Sequence, residues 1–379
     1  MLNLRSFEEG LGALSPSLWN GLGAAPYPHL RHEFLRALET QDCLGPKVGW
    51  FPRPWLIEGP GGEVLGAVPV YLKETSFGDF SSDWHWARAY QDQGHSFYPK
   101  LVVASPFTPA TGPKILAAEN GLDGARRVEV FELMREEVGR LGASALQFLF
   151  APPEGLGDLP LIERHGCQFH WHNPGYRDFA DFLDQLTSRR RKEILRERRQ
   201  VREAGIELVV RPGGRVTEAE WALFHQLYVR TFEHYGNYPA LTEGFFRTLG
   251  ETMGDQVSLV TALRGEQLVA AAFFLLGESV LYGRYWGTLE ALPALHFEAC
   301  YYQGIELAIT QGLSTFEPGA QGEHKISRGF LPQRTLSYHW IRHPGFRAAI
   351  ARHVASENIA MAQYMSACLA RSPYREERC

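Results

Sequence analysis

Three apolar runs separated by two tight turns constrain this chain more than any other stretch. Residues 257–262, 268–276 and 280–285 are rich in Val, Leu, Phe and Ala, and Arg264-Gly265-Glu266 and Gly277-Glu278 divide them. Runs of strand length joined by such short loops pair in antiparallel order, so the segment predicts a three-strand meander. A helix is expected next, from near Pro293, a residue suited to a first helical turn, to Gly312, which stops it. A strand is expected to begin at Thr315, another to cover 336–341, and a helix over 345–370 closes the chain.

Upstream, residues 26–43 read as a helix, 55–57 and 64–72 as a hairpin around a Gly-Pro-Gly-Gly turn, and 75–98 as a long loop. A strand at 101–104, a helix at 125–141 and a strand at 145–150 follow. A short helix at 159–165 and a strand at 167–172 complete that half. A long helix over 178–204, ended by Gly205, then leads to a strand at 206–211 and a helix at 218–235. The order of elements repeats, and a breaker cluster at Asn173-Pro174-Gly175 sets the expected division into 1–174 and 175–379. With 379 residues, 45% apolar and 21% charged, two globular domains are expected.

The net charge of -5 excludes a global polycation, so any anion must be held by a local patch. Five cysteines, Cys43, Cys167, Cys300, Cys368 and Cys379, form no C-x-x-C pair and suggest no disulfide framework. No apolar run approaches the ~20 residues of a membrane span, and the N-terminus has no apolar signal core; a cytoplasmic protein is the expectation. His165, Cys167, His170 and His172 match no standard zinc spacing, and no metal is expected.

Residues 188–203, SRRRKEILRERRQVRE, carry eight bases against three acids. On a helix Arg189, Lys192, Arg196 and Arg199 share one face, which can grip phosphates through guanidinium forks. The plainer reading is a solvated helix with internal pairs such as Arg189–Glu193 and Arg199–Glu203. Residues 316–332, FEPGAQGEHKISRGFLP, are dense in glycine and charge. There Lys325 and Arg328 suit an anionic ligand, Glu317 lies at the strand end, and Glu323 or His324 could take a proton from an attacking amine. The segment LHFEACYY at 295–302 opens the helix after the meander and puts His296 in its first turn beside Tyr285, making His296 a further candidate base. In the first half Lys100 and Lys114 border a proline-rich loop, 98–114, where an anion could be contacted. Plain surface loops, helix capping and core packing are the alternatives for these segments.

A meander followed by helix, strand, helix, strand is the pattern of GNAT acyltransferases. The motifs YPKLVVASPFTPATGP at 98–113, LHFEACYYQGIE at 295–306 and FEPGAQGEHKISRGFLP at 316–332 together resemble the FemAB-like peptidoglycan biosynthesis/recognition family over nearly the whole chain. The resemblance implies an α/β (α+β) fold of tandem GNAT-like (acyl-CoA N-acyltransferase) domains, each a mixed, mostly antiparallel sheet flanked by helices. It implies an N-acyl or aminoacyl transferase acting on an amine of a small-molecule or peptidoglycan-precursor-like acceptor. The donor would be aminoacyl-tRNA or acyl-CoA, with no tightly bound cofactor and tRNA as a partner. The glycine-rich CoA-binding turn of acetyltransferases is missing between Tyr285 and Leu295, which has one glycine. A non-catalytic protein that binds a cell-wall precursor or tRNA, and an acetyl-CoA-dependent N-acetyltransferase, are the alternative readings.

Overall fold

Proline 69 gives the first half its shape. A proline cannot donate to a sheet ladder, and the run read as one strand over 64–72 is two strands in the computed structural model, Val64–Val68 and Val70–Lys73. The first pairs antiparallel with Trp55–Glu58, as the hairpin signal predicts, while the second joins a different sheet beside Lys100–Val103 and Trp50–Pro52. The structure describes residues 1–118, 122–320 and 322–375; Gln321 of the glycine-rich segment and Cys379 lie outside the described residues.

The described residues form two compact units. One comprises Met1–Gly166 and Arg334–Gln363, the other Cys167–Gln333 and Tyr364–Cys379. Each unit is thus built from two stretches of chain, whereas the breaker cluster at 173–175 predicts a single division after 174.

In the first unit, Lys100–Val103 and Ala145–Ala151 pair in parallel, connected through the helix Gly124–Arg140. Asp123 caps that helix by accepting from the Arg126 amide, and Val130, Phe131, Met134 and Val138 turn inward. The strand Leu331–Ile341 adds antiparallel to Ala145–Ala151, from Leu336 to Ile341. The stretch 75–98, expected as a loop, contains the helix Trp84–Asp92. Only Trp86 and Tyr90, one turn apart, are buried in it, too sparse a stripe to read as periodicity. Residues 159–165, expected as a short helix, instead enter the strand Ile162–His172.

In the second unit, Ile206–Pro212, Val257–Arg264, Gln267–Leu276 and Val280–Thr288 form an antiparallel sheet in that order. The helix Glu218–His234 is closed at its start by a capping box between Thr217 and Glu220. A further helix, Glu243–Thr252, was not foreseen from the sequence. The strand Thr315–Glu317 pairs in parallel with Val280–Thr288, after a helical stretch running from Leu295 to Thr310 with a π turn at Glu298–Tyr302. The long helix expected over 178–204 is divided, since Leu186 and Thr187 are extended; it is Phe179–Gln185 followed by Ser188–Glu203. Both units therefore contain a strand, a crossover helix and a parallel strand within a mostly antiparallel sheet, the tandem GNAT-like α/β arrangement. Among the described residues no helix is long and apolar enough to cross a membrane.

Candidate functional site

The parallel pairing in the second unit is short. Val280, Leu281 and Tyr282 face Thr315, Phe316 and Glu317, and the pairing ends there. Just beyond Tyr282 the longer strand bulges, because Phe274 pairs with Gly283 while its neighbour Phe273 pairs with Tyr285. Arg284 is the extra residue, and a bulge of this kind re-aims a side chain. The carboxyl ends of neighbouring parallel strands are where open α/β sheets hold ligands. Arg284 and Glu317 are both buried at this point, Nη2 to Oε2 3.9 Å, beyond hydrogen-bond reach.

After Glu317 and Gly319 comes a short 3-10 helix, Glu323–Arg328, bracketed by Gly322 at φ 109° and Gly329 at φ 95°. Residues with side chains rarely adopt such angles, so these glycines fix where the turn starts and stops. The turn carries Lys325 inward, where it is 2% exposed. Its Nζ donates to the carbonyl oxygens of Gly319 at 2.8 Å and Ala320 at 3.5 Å. No carboxylate lies within ion-pair distance of it among the described residues. Burial, reinforced by the Arg284 guanidinium, brings its pKa down to about 7. The same burial pushes the neighbouring Cys300 thiol well above its ordinary range and lowers His170 to about 3.

The other residues singled out in this segment take different places. His324 Nε2 meets the Tyr301 hydroxyl at 2.9 Å, and burial lowers its pKa. His296 packs between Trp286 and Tyr301, with ring centroids 4.8 and 5.1 Å away. Burial, with His324, Lys325 and Arg328 nearby, lowers it to about 4, so it is neutral at pH 7. Glu323 is outside this cluster. It is exposed, bonded to Arg371 and to the Tyr364 hydroxyl, and the Arg371 bond holds its carboxyl below the usual range. Tyr285 is half-buried among aromatic rings, 5.2 Å from Tyr228 and 5.9 Å from Phe246. Lys100, in the first unit, is fully buried against Asp79 at 2.8 Å and Asp83 at 2.7 Å.

Arg328 is fixed by the helix Ser188–Glu203. It donates to Glu197 at 2.7 Å and to the His324 carbonyl at 2.8 Å, and its guanidinium lies 3.4 Å from the centroid of Phe297. Glu197 also accepts from the Tyr302 hydroxyl. That helix buries Ile194, Glu197 and Val201. Arg189, Lys192, Arg196 and Arg199 lie on its opposite, exposed side and make no ion pair among the described residues. They line an open depression of about 840 Å³ together with Ser188, Glu193 and Leu195. Glu193 pairs with Arg190 at 2.7 Å rather than with Arg189. The basic helix and the glycine-rich segment therefore meet, but through Glu197 and Arg328, with the four exposed bases turned away from that contact.

Arg284 and Glu197 are not among the residues the sequence singles out, Tyr301 reads there as a core contact, and His170 belongs to a histidine group without zinc spacing. Arg284 had a signal: it follows a glycine inside an otherwise apolar strand, the mark of a bulge. Glu197 was concealed among the bases around it.

The profile of a FemAB-like family described as peptidoglycan biosynthesis/recognition matches residues 10–376. No curated protein sequence matches. Among solved structures, similarity extends to a protein described as the C-terminal domain (DUF2156) of a lysylphosphatidylglycerol synthetase from Agrobacterium fabrum. That pair is 10% identical, covers 89% of this chain and 95% of the other, and has a TM-score of 0.52. A conserved protein of unknown function from Bacteroides thetaiotaomicron is 11% identical over 89% and 99% of the two chains, with a TM-score of 0.51. FemX is 10% identical over 85% and 94%, with a TM-score of 0.46. At these identities the likeness concerns the fold, whereas the family match runs through both units and all three motifs. The chain belongs to the FemAB-like peptidoglycan biosynthesis/recognition family.

Proposed function

We propose that the chain is an N-acyl or aminoacyl transferase whose second unit carries the chemistry, and that its acceptor is an amine of a peptidoglycan-precursor-like molecule. The observation that carries this reading is Lys325, a buried lysine with a pKa of about 7, in the segment that follows the point where two parallel strands cease to pair. A general base works best when its pKa lies near the working pH.

In this reading the acceptor amine attacks the donor's ester carbonyl and a C–N bond forms. Neutral Lys325 takes the proton the amine loses. The carbonyl oxygen gains negative charge beside Arg284, then the C–O bond to the donor breaks and the leaving oxygen is protonated by Lys325. His324, held by Tyr301, and neutral His296 line the acceptor's approach, and Arg328 supports the turn from below. Glu323, already committed to Arg371, takes no part in the proton transfer.

For the donor we favour aminoacyl-tRNA over acyl-CoA. The turn before the helix at Leu295 has a left-handed Ala294 and a single preceding glycine, Gly287, where a pyrophosphate cradle would need several free amides. The four unpaired bases on the helix Ser188–Glu203 suit a phosphate backbone. A second reading, binding of a precursor without turnover, draws on the near-complete burial of Lys325 beneath its own segment.

The deciding experiment supplies the purified chain with aminoacyl-tRNA or acetyl-CoA and an amine-bearing muropeptide, and compares it with Lys325→Met. Transfer from aminoacyl-tRNA that Lys325→Met abolishes supports the proposal. Equal turnover by both proteins removes Lys325 from the chemistry, and precursor binding with no transfer from either donor favours the second reading.

A further inference from the structure

His165, His170 and His172 lie close together in the chain but in no standard zinc spacing. The first unit brings ligands together from distant segments instead. His85 lies on the helix Trp84–Asp92, and His353 and Glu357 lie one turn apart on the helix Pro344–Leu369. Glu357 Oε1 is 3.4 Å from His353 Nε2 and 3.9 Å from His85 Nε2, and all three ligand atoms fall within 4.8 Å of one another. Around a tetrahedral ion with bonds of ~2.0–2.1 Å, ligand atoms sit ~3.4 Å apart. Small side-chain rotations therefore close the site. Among the described residues no other three such side chains come together.

The surroundings support ligation. Trp86, Tyr90, Ile350 and Val354 share one apolar cluster, and Tyr90 stacks on Phe346 at 3.8 Å, so both helices are held firmly. Arg164 grips Glu357 through Nε at 2.9 Å and Nη2 at 3.0 Å, and its Nη1 donates to the Ser81 carbonyl at 2.6 Å. A carboxylate has about four lone-pair positions, so two remain after Arg164 has bound, and a ligand carboxylate is ordinarily oriented by such an outer partner. The side chains of His85 and His353 are 44% and 51% exposed, which leaves the site open to an ion from solvent and to a water as fourth ligand.

We propose that His85, His353 and Glu357 bind a divalent cation that prefers imidazole, of the Zn²⁺ class, and that the ion clamps the helix Trp84–Asp92 to the helix Pro344–Leu369. Two imidazoles and one carboxylate suit Zn²⁺ better than Mg²⁺ or Ca²⁺, which demand oxygen. The inference is independent of the transferase reading, since its residues are in the other unit.

The test is titration of the full, chelator-treated chain with ZnCl₂, followed by calorimetry, with Co²⁺ absorption as a second signal. One equivalent is expected to bind, with a rise in the thermal midpoint. His85→Asn and His353→Gln should each weaken binding at least about tenfold and abolish the Co²⁺ spectrum. Both side chains are on the surface, so circular dichroism should show both variants folded. His343→Asn is the control, because His343 forms a separate surface pair with His95, ring centroids 5.4 Å apart. Equal Zn²⁺ uptake by the parent and the His85→Asn/His353→Gln double variant overturns the proposal, as does a loss that follows His343→Asn alone.

Discussion

Two buried lysines, one in each unit, show what surroundings do to the same side chain. Lys100 lies between Asp79 and Asp83, with Ser76 and Gln147 also in reach of its Nζ, and its pKa is raised despite the burial. Lys325 has carbonyl oxygens for partners and Arg284 for a neighbour, and its pKa falls to about 7. The first is a permanent cation that holds several loop residues to a strand. The second changes charge near neutrality. Lys73 warns against reading a lowered pKa alone as chemistry. It too is brought to about 7 by burial, yet it sits 4.0 Å from the Trp50 ring centroid and donates to the Val48 and Phe77 carbonyls, inside the first unit's packing. Lys325 differs from Lys73 in its place, in the segment that follows Glu317, where the parallel pairing of the second unit ends.

The sharpest way to break this contrast is Lys325→Met. Loss of a general base costs roughly 10²–10⁴-fold in rate, and the fold should survive, because removing a poorly compensated buried amine relieves a desolvation cost. The pH dependence has a definite sign. Between about 7 and 10.5 the unfolded lysine holds a proton that the folded one lacks, so this group makes stability rise with pH across that window. Urea unfolding at pH 7 and pH 9 should show that contribution in the parent and not in Lys325→Met. A variant that keeps full transfer activity would place Lys325 with Lys73, as packing. Lys73→Met should leave transfer unchanged while altering stability alone.

Asp83→Asn tests the other side of the comparison. Lys100 would keep only Asp79, and weakening a buried charge pair from one partner costs about 3 kcal/mol. Because the pKa of Asp83 is depressed, the native pairing contributes stability at neutral pH that is lost as pH falls through the acid range. Asp83→Asn should flatten that acid dependence. A loss of under about 1 kcal/mol in urea unfolding would mean that the cage is not a structural anchor. Glu197→Gln should cost less, about 1.5–3 kcal/mol, the range for a hydrogen bond to a charged group. It leaves Arg328 with a neutral partner, while the amide can still accept from Tyr302. Glutamate-to-glutamine exchange with unchanged stability would show that Arg328 is held by the Phe297 ring and the His324 carbonyl alone.

Much of the architecture is legible in the sequence because it is periodic. The meander and the crossover helices carry their apolar spacing openly, and Thr217 and Glu220 announce a helix start. The misread elements are those fixed by tertiary contact. Trp84–Asp92 is a helix because Trp86 and Tyr90 find a core, and the break at Leu186 reflects a bridge to Tyr374 across nearly the whole second half. The site was half legible for the same reason. Glycines and charge mark residues 317–328 from the sequence, but which charges turn inward depends on Gly322 and Gly329 and on what packs beneath. Glu323 and Lys325 are two residues apart, yet one is in solvent with Arg371 and the other is sealed inside.

The smallest effect on stability should come from the exposed bases of the helix Ser188–Glu203. Replacing Arg189, Lys192, Arg196 and Arg199 together by Gln touches no ion pair among the described residues, and each such surface change lies within about 0.5 kcal/mol. The same change should act strongly on polyanion binding. Each base that neutralises a phosphate releases counterions, so affinity for tRNA should fall with salt with a slope of about -0.7 to -0.9 per contact. The quadruple variant should lose up to about four contacts' worth of that slope, whereas Arg190→Gln, which breaks only the Glu193 pair, should lose about one or none. Identical salt slopes for the parent and the quadruple variant would return this face to the status of a solvated helix. The donor would then have to be held elsewhere in the second unit.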